Sequence, residues 1–273
     1  MPQDLLARLL GEEKIDAYAA IPFSACKVTK QHLLDRAPFT PQTAILFLVP
    51  YYAGETENLS RYASACDYHL YMRDLFTRLT PPLAEKTGYR YLGFADHSPI
   101  DERHAAAIAG LGIRGDNGLL INEKYGSFVF IGELLTDAPP SLLGAKEPIT
   151  PLRCPSCGAC KNACPSGCLR GESTLCLSAV TQKKGELTEE ERALLLQGNS
   201  LWGCDVCQEI CPYNQRIIRE KQYTPITYFH KDRMAHLTRE MLNAMDEETF
   251  TARAFSFRGR APLERNLELL DKK

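Results

Sequence analysis

The sequence predicts a mixed α/β (α+β) domain followed by a compact cysteine-rich domain that binds metal. Three observations predict it. Apolar runs of strand length alternate with helical patterns over residues 1–150, nine of the eleven cysteines fall between Cys154 and Cys211, and Pro139, Pro140, Pro148 and Pro151 bracket a linker between the two regions. The chain of 273 residues thus divides into an α/β domain over 1–150, a two-motif cysteine domain over 151–222, and a mixed C-terminal tail over 223–273 expected to pack on both. Hydrophobic content of 44%, charged content of 24% and a formal net charge of -2 exclude a strong field of either sign. Nonspecific attraction to nucleic acid is not expected from that balance. The N-terminal stretch through Tyr18 has no long apolar core, so it does not read as a signal peptide, and no run approaches the roughly 20 apolar residues that span a bilayer. The expectation is a cytoplasmic protein with no membrane partner.

The elements follow in order. Thr43 to Pro50 is a continuous apolar run ended by proline, the pattern of a strand covered on both faces. Tyr68 to Lys86 places Leu70, Leu75, Leu79 and Leu83 at helical spacing, with Pro81-Pro82 expected to break or restart the helix. Tyr89 to Phe94 reads as a strand. Glu102 to Leu111 is an alanine-rich helix that Gly110 and Gly112 can end, and Gly126 to Leu135 is a further strand. A polar helix around Thr188 to Gln197 interrupts the cysteine segment. Arg253, Arg258, Arg260 and Arg265 in the tail give a local hint of phosphate contact, against which a solvated tail is the plainer reading.

Cysteines concentrated in one segment of a chain expected in the cytosol point to metal rather than disulfides. The first motif is Cys154-x-x-Cys157-x-x-Cys160-x-x-x-Cys164-Pro165, the run of bacterial two-cluster ferredoxins. Three thiolates at two-residue spacing converge on one cubane, while the fourth cysteine ligates the other cluster. The second motif, Cys204-x-x-Cys207-x-x-x-Cys211-Pro212, is one ligand short. If Cys211 completes the first 4Fe-4S cluster with Cys154, Cys157 and Cys160, the second holds Cys164, Cys204 and Cys207 and needs one more thiolate. Cys168 and Cys176 are the two candidates, and spacing does not choose between them. Zinc is the competing reading, because two C-x-x-C pairs can make a tetrahedron; it would leave five of the nine cysteines without a role. Cys26 and Cys66, outside the segment, read as small buried hydrophobes.

Joined to what precedes it, the cysteine segment resembles epoxyqueuosine reductase, the cobalamin-dependent iron-sulfur enzyme family that completes queuosine in tRNA. The residues that carry the resemblance are Asp67-Tyr68-His69, Ala95 to Arg103, Ala109 to Gly112 with Asn117, Tyr125 to Leu134, both cysteine motifs, Leu175 to Gly185 and Trp202 to Cys207. They span roughly residues 60–215, with an echo in Phe257 to Asn266. The resemblance implies a ferredoxin-like domain with two 4Fe-4S clusters, and it assigns Cys176 as the missing ligand and Cys168, where the family usually has alanine, as a spare thiol. It also implies cobalamin in the first domain, with contacts from Tyr68, His69, Asp96, Arg103, Gly112, Asn117 and Ser127, and Asp96 as the proton donor. An electron-donating flavoprotein or ferredoxin would be the partner.

The chain also departs from the family. Gly115-Asp116-Asn117 carries an anion where members have Gly-Lys-Asn or Gly-Lys-His, the N-terminal segment is short, and members continue into a helical HEAT-type repeat where this sequence reaches Lys273. The expectation of tRNA as substrate is weaker for that reason. No Asp-x-His-x-x-Gly match occurs, so cobalamin is expected without a histidine as lower axial ligand. Asp96 must have a raised pKa to donate a proton at neutral pH, as a poorly solvated pocket would arrange. His69 and His97 are secondary candidates for hydrogen bonding to cofactor or substrate. Two other functions compete: a corrinoid reductase of another small molecule, related to reductive dehalogenases, and a ferredoxin-like electron carrier. A carrier has no use for the 150-residue upstream domain.

Overall fold

The computed structural model describes residues 1–272, and the chain separates into two compact units. The first holds Met1–Pro50 and Tyr71–Ser156, the second Tyr51–Leu70 and Cys157–Lys273. This division departs from the sequence-based one. Residues 51–70, assigned to the first domain, cluster with the cysteine segment, and residues 223–272 fall in that same unit.

The first unit contains helix α1 (Pro2–Glu12), strand β1 (Tyr18–Pro22), helix α2 (Gln31–Leu34), strand β2 (Thr43–Pro50), most of helix α3 (Tyr68–Thr87), strand β3 (Tyr91–Ala95), helix α4 (Glu102–Ile108), the short strands β4 (Ile113–Arg114) and β5 (Leu120–Ile121), and strand β6 (Val129–Thr136). Strands β1-β2-β6-β3 form one antiparallel sheet and β4-β5 a hairpin, so the unit is α+β rather than a parallel α/β fold. All eight residues of β2 are buried, as an apolar run in a sheet covered on both faces must be. Against one face of the sheet α4 packs Ala105, Ala106 and Ala107, whose small side chains let the helix approach closely.

Helix α3 does not stop at its prolines. Tyr71, Met72, Leu75, Leu79 and Leu83 keep one buried stripe through Pro81 and Pro82. Pro81 and Pro82 remove two N–H donors that would bond the carbonyls of residues 77 and 78, and the buried stripe holds the helix in register across the gap.

The second unit adds helices α5 (Ala159–Ala163), α6 (Leu177–Thr181), α7 (Glu189–Gly198), α8 (Val206–Glu209), α9 (Pro212–Arg219), α10 (Arg239–Ala244), α11 (Glu247–Thr251) and α12 (Ala261–Leu270). Thr188 caps α7 in a capping box with Glu191, which explains why a polar helix starts there. The core of this unit gathers around Trp202, with Leu59, Leu237, Leu242, Phe250, Phe255, Leu263 and Leu267. The tail arginines are structural. Arg253 donates to the Asp232 carbonyl (2.6 Å), Arg260 to the Leu242 and Met245 carbonyls (2.7 and 2.8 Å), and Arg265 to the Lys183 and Gly185 carbonyls (2.8 and 2.6 Å). Neither the phosphate reading nor the solvated-tail reading survives for these three. Among the described residues no helix is long and apolar enough to cross a membrane.

Candidate functional site

Asp96 stands at the turn that leaves β3, exposed, with φ of 60°. Aspartate tolerates this left-handed conformation better than most residues, and such strain concentrates at functional turns. Its backbone N–H donates to Glu102 Oε2 (3.1 Å) in the first turn of α4, which pins the turn against the helix. Glu102 is pushed up to about 7, first by burial and then by the nearby Asp96 carboxylate. Behind it Glu133, on β6 opposite Phe94 of β3, is fully buried. Ser98 Oγ donates to Glu133 Oε2 (2.7 Å) and receives the Ile100 N–H (3.1 Å), while Glu133 Oε1 has no hydrogen-bond partner. Burial, with a contribution from Glu102, raises Glu133 to about 8 against the opposing Ser98 bond. A set of three carboxyls therefore runs from the surface turn into the sheet. Asp96 itself is not the desolvated member; Glu102 and Glu133 are.

Sequence reasoning missed Glu102 and Glu133 as members of this group. The signal was present: Glu133 is a single carboxylate inside the apolar run Val129 to Leu135.

The neighbouring candidates of the first unit fall around the same helix end. Arg103 Nη1 donates to the Gly118 carbonyl (3.0 Å), tying the start of α4 to the β4–β5 hairpin. Asn117 sits at the tip of that hairpin and accepts the Leu119 N–H (3.2 Å). Gly112 precedes it, and any Cβ there would meet the Ile121 carbonyl oxygen at 2.6 Å, so glycine is required by packing. Asp116, which replaces the family's cation, accepts from Ser156 Oγ (3.3 Å), and its backbone N–H points at Cys154 Sγ (3.4 Å). An N–H aimed at sulfur is the kind of contact that tunes a metal-bound thiolate. Ser127 is buried in the chain leading to β6. His97 Nδ1 lies 3.4 Å from Lys30 Nζ on the surface.

Tyr68 and His69 belong to the second unit. Their rings stack at 4.0 Å, and Asp67 Oδ1 receives the His69 backbone N–H (3.0 Å) and lies 2.9 Å from its Nδ1. The cysteine segment is fixed to the same unit by a buried ion network. The Arg61 backbone N–H and Ser60 Oγ both donate to Asp205, between Cys204 and Cys207, and the Arg61 guanidinium reaches Asp205, Glu209 and Glu55. Burial opposes the Arg61 charge, but these carboxylates outweigh it and hold the guanidinium ionised.

All eleven cysteines are unpaired with one another as disulfides in this structure. Cys164 Sγ lies 3.5 Å from Cys168 Sγ, and burial pushes the Cys204 thiol up to about 11 and the Cys207 thiol up to about 12. Among the described residues no three His, Cys, Asp or Glu side chains converge as a single-ion site would require. A cubane spreads its thiolates more widely than one zinc ion does. Thiol-only donors at these spacings fit iron-sulfur clusters. For a corrinoid, whose rim carries amides, the Arg103 guanidinium, the Asn117 amide and the hairpin backbone around Gly112 offer suitable partners.

Residues 153–214 match the family model of the 4Fe-4S double cluster binding domain. The epoxyqueuosine reductase of Listeria monocytogenes is 36% identical over 209 residues, 73% of this chain and 53% of that protein; the Escherichia coli enzyme is 35% identical over 187 residues, 66% and 48%. It is related to the epoxyqueuosine reductases. The chain spans about half the length of these curated relatives. Among solved structures, the epoxyqueuosine reductase of Streptococcus thermophilus superposes with a TM-score of 0.73 at 25% identity, over 99% of this chain and 81% of that one. The Bacillus subtilis structure, at 23% identity and a TM-score of 0.75, shares the fold.

Proposed function

We propose that this protein is a cobalamin-dependent iron-sulfur oxidoreductase that reduces epoxyqueuosine to queuosine, with tRNA as the carrier of the substrate and the cytoplasm as its location. The similarity to epoxyqueuosine reductases over 66–73% of the chain, together with the double-cluster match over residues 153–214, supports the reading. Cys154, Cys157, Cys160 and Cys211 would hold one cluster and Cys164, Cys176, Cys204 and Cys207 the other; Tyr68, His69, Arg103, Gly112, Asn117 and Ser127 would contact the corrinoid. Together the bound cofactors supply two electrons for removal of the epoxide oxygen.

The chain's own residues supply the proton and the positioning. Asp96 presents its carboxyl from an exposed turn and gives its proton to the departing oxygen. Burial and the Asp96 carboxylate push Glu102 up to about 7, so a second carboxyl beside Asp96 exchanges a proton near neutral pH. The Asp96 N–H bond to Glu102 fixes the direction of delivery, and the Arg103 bond to Gly118 holds the hairpin beside it. A flavoprotein or ferredoxin would deliver the electrons.

Anaerobic reconstitution with iron, sulfide and cobalamin, followed by incubation with tRNA containing epoxyqueuosine and a one-electron donor, tests the reading. Queuosine in the digested tRNA is the expected product. Iron incorporation without corrinoid binding would instead make the chain an electron carrier. A corrinoid reductase of another small molecule is favoured by one feature, the anion Asp116 beside Cys154; corrinoid binding with no turnover of the tRNA would select it.

A further inference from the structure

Two 4Fe-4S clusters take eight thiolates, and the matched segment contains nine cysteines. Cys168 is the ninth under the assignment above. It is not remote from the ligand set: its Sγ lies 3.5 Å from that of Cys164. Gly167 makes this approach, because its φ of 71° turns the chain back so that residue 168 returns beside residue 164. The turn is held by the Gly167 N–H on the Cys164 carbonyl (3.1 Å) and the Cys168 N–H on Ser166 Oγ (3.4 Å). The other two cysteines outside the assignment are elsewhere. Cys26 packs against the core of the first unit, and Cys66 is bridged through its backbone to Arg253.

The two candidates for the fourth position differ in exposure. Cys176 is exposed and opens on a pocket that also includes Lys183, Lys184 and Arg258, whereas Cys168 is half-buried. The ligand assigned by resemblance is thus the more exposed of the two.

We propose that Cys168 is a reserve ligand of the second cluster and takes the iron position of Cys176 when that thiolate is lost. The proposal rests on the cluster assignment given under the proposed function. The step is a ligand exchange. One iron loses its bond to the Cys176 sulfur and gains one to the Cys168 sulfur, the Cys168 thiol releases its proton to solvent, and no electron moves.

The test compares the full chain with Cys168→Ala, Cys176→Ala and the double variant after anaerobic reconstitution with ferrous iron and sulfide. Iron and sulfide per chain and the electron paramagnetic resonance of the reduced protein are the readouts. The expected iron counts are about eight for the unsubstituted chain, Cys168→Ala and Cys176→Ala, and about four for the double variant, with altered g values in Cys176→Ala only. About four iron in Cys176→Ala, or about eight in the double variant, overturns the proposal. An unsubstituted chain with fewer than eight iron overturns the cluster assignment itself, and the proposal with it. Cys176→Ser, closer in size, is run in parallel. Native alkylation read by mass spectrometry gives a second measure: Cys168 should react in the unsubstituted holoprotein and be protected in Cys176→Ser, and reaction in both would overturn the exchange.

Discussion

At the scale of single residues, the division of labour among Asp96, Glu102 and Glu133 follows from where each carboxyl sits. Asp96 is exposed at the turn, while burial raises Glu102 to about 7 and Glu133 to about 8. Replacing Asp96 by Asn should lower turnover by about 100-fold or more, the scale of general acid catalysis, with iron and corrinoid content unchanged. Full turnover in a loaded Asp96→Asn protein would remove Asp96 from the mechanism. Glu133 gives a prediction independent of activity. Its folded pKa is raised to about 8 from an ordinary glutamate value, so the folded chain binds more protons than the unfolded chain between those limits. The stability it contributes is complete below the unfolded value and is lost as pH rises through about 8. Glu133→Gln keeps the acceptor for Ser98 without the charge. It should flatten this loss, raising the melting temperature at pH 8.5 by about 2–4 °C and leaving it nearly unchanged at pH 5. An equal drop at both values would show that Glu133 is needed for packing alone. The sequence exposed Asp96 through its matched segment, but the shifted partners depend on a β6 side chain meeting the start of α4, which local pattern does not encode.

At the scale of elements, long apolar patterns were legible and short or packing-dependent ones were not. Strand β2 runs from Thr43 to Pro50 as its composition predicts, and α4 starts at Glu102, where Asp101 caps it by accepting the His104 N–H. Strand β1 and the two-residue strands β4 and β5 are too short to show periodicity, and α3 passes through Pro81 and Pro82 because its buried stripe outweighs the missing bonds. The glycines in the sheet show the same dependence on tertiary contact. A Cβ at Gly132 of β6 would lie 2.1 Å from the Phe47 ring of β2, and one at Gly93 of β3 would lie 2.3 Å from the Phe76 ring of α3. Phe47 and Phe76 meet edge to face at 6.3 Å, so neither ring can retreat without disturbing the other. Gly132→Ala should therefore cost about 1–3 kcal/mol by overpacking, read as a lower urea midpoint at unchanged slope. A neutral result would mean that the rings repack freely.

At the scale of the whole molecule, the chain interleaves its two units, and the sequence did not reveal this because residues 51–70 carry no change of composition that sets them apart from the first unit. The segment 51–70 lies more than eighty residues before the cysteine motifs, yet Arg61 and Ser60 in it meet Asp205 between two candidate cluster ligands. The Arg61 and Asp205 side chains are 4% and 5% exposed, so removing one partner strands a buried charge. Asp205→Ala should cost about 3–5 kcal/mol, well above the usual surface effect, because Arg61 then loses its buried carboxylate partner, Glu55 and Glu209 being more exposed. The same change frees the backbone between Cys204 and Cys207, two ligands assigned to the second cluster. Reconstituted Asp205→Ala should therefore hold less iron than the unsubstituted chain, falling towards about four per chain, while the cluster assigned to Cys154, Cys157, Cys160 and Cys211 is retained. Chemical denaturation of the apoprotein measures the first effect and iron analysis the second. Loss of stability with full iron content would mean that the network secures the fold of the second unit without shaping the cluster loop.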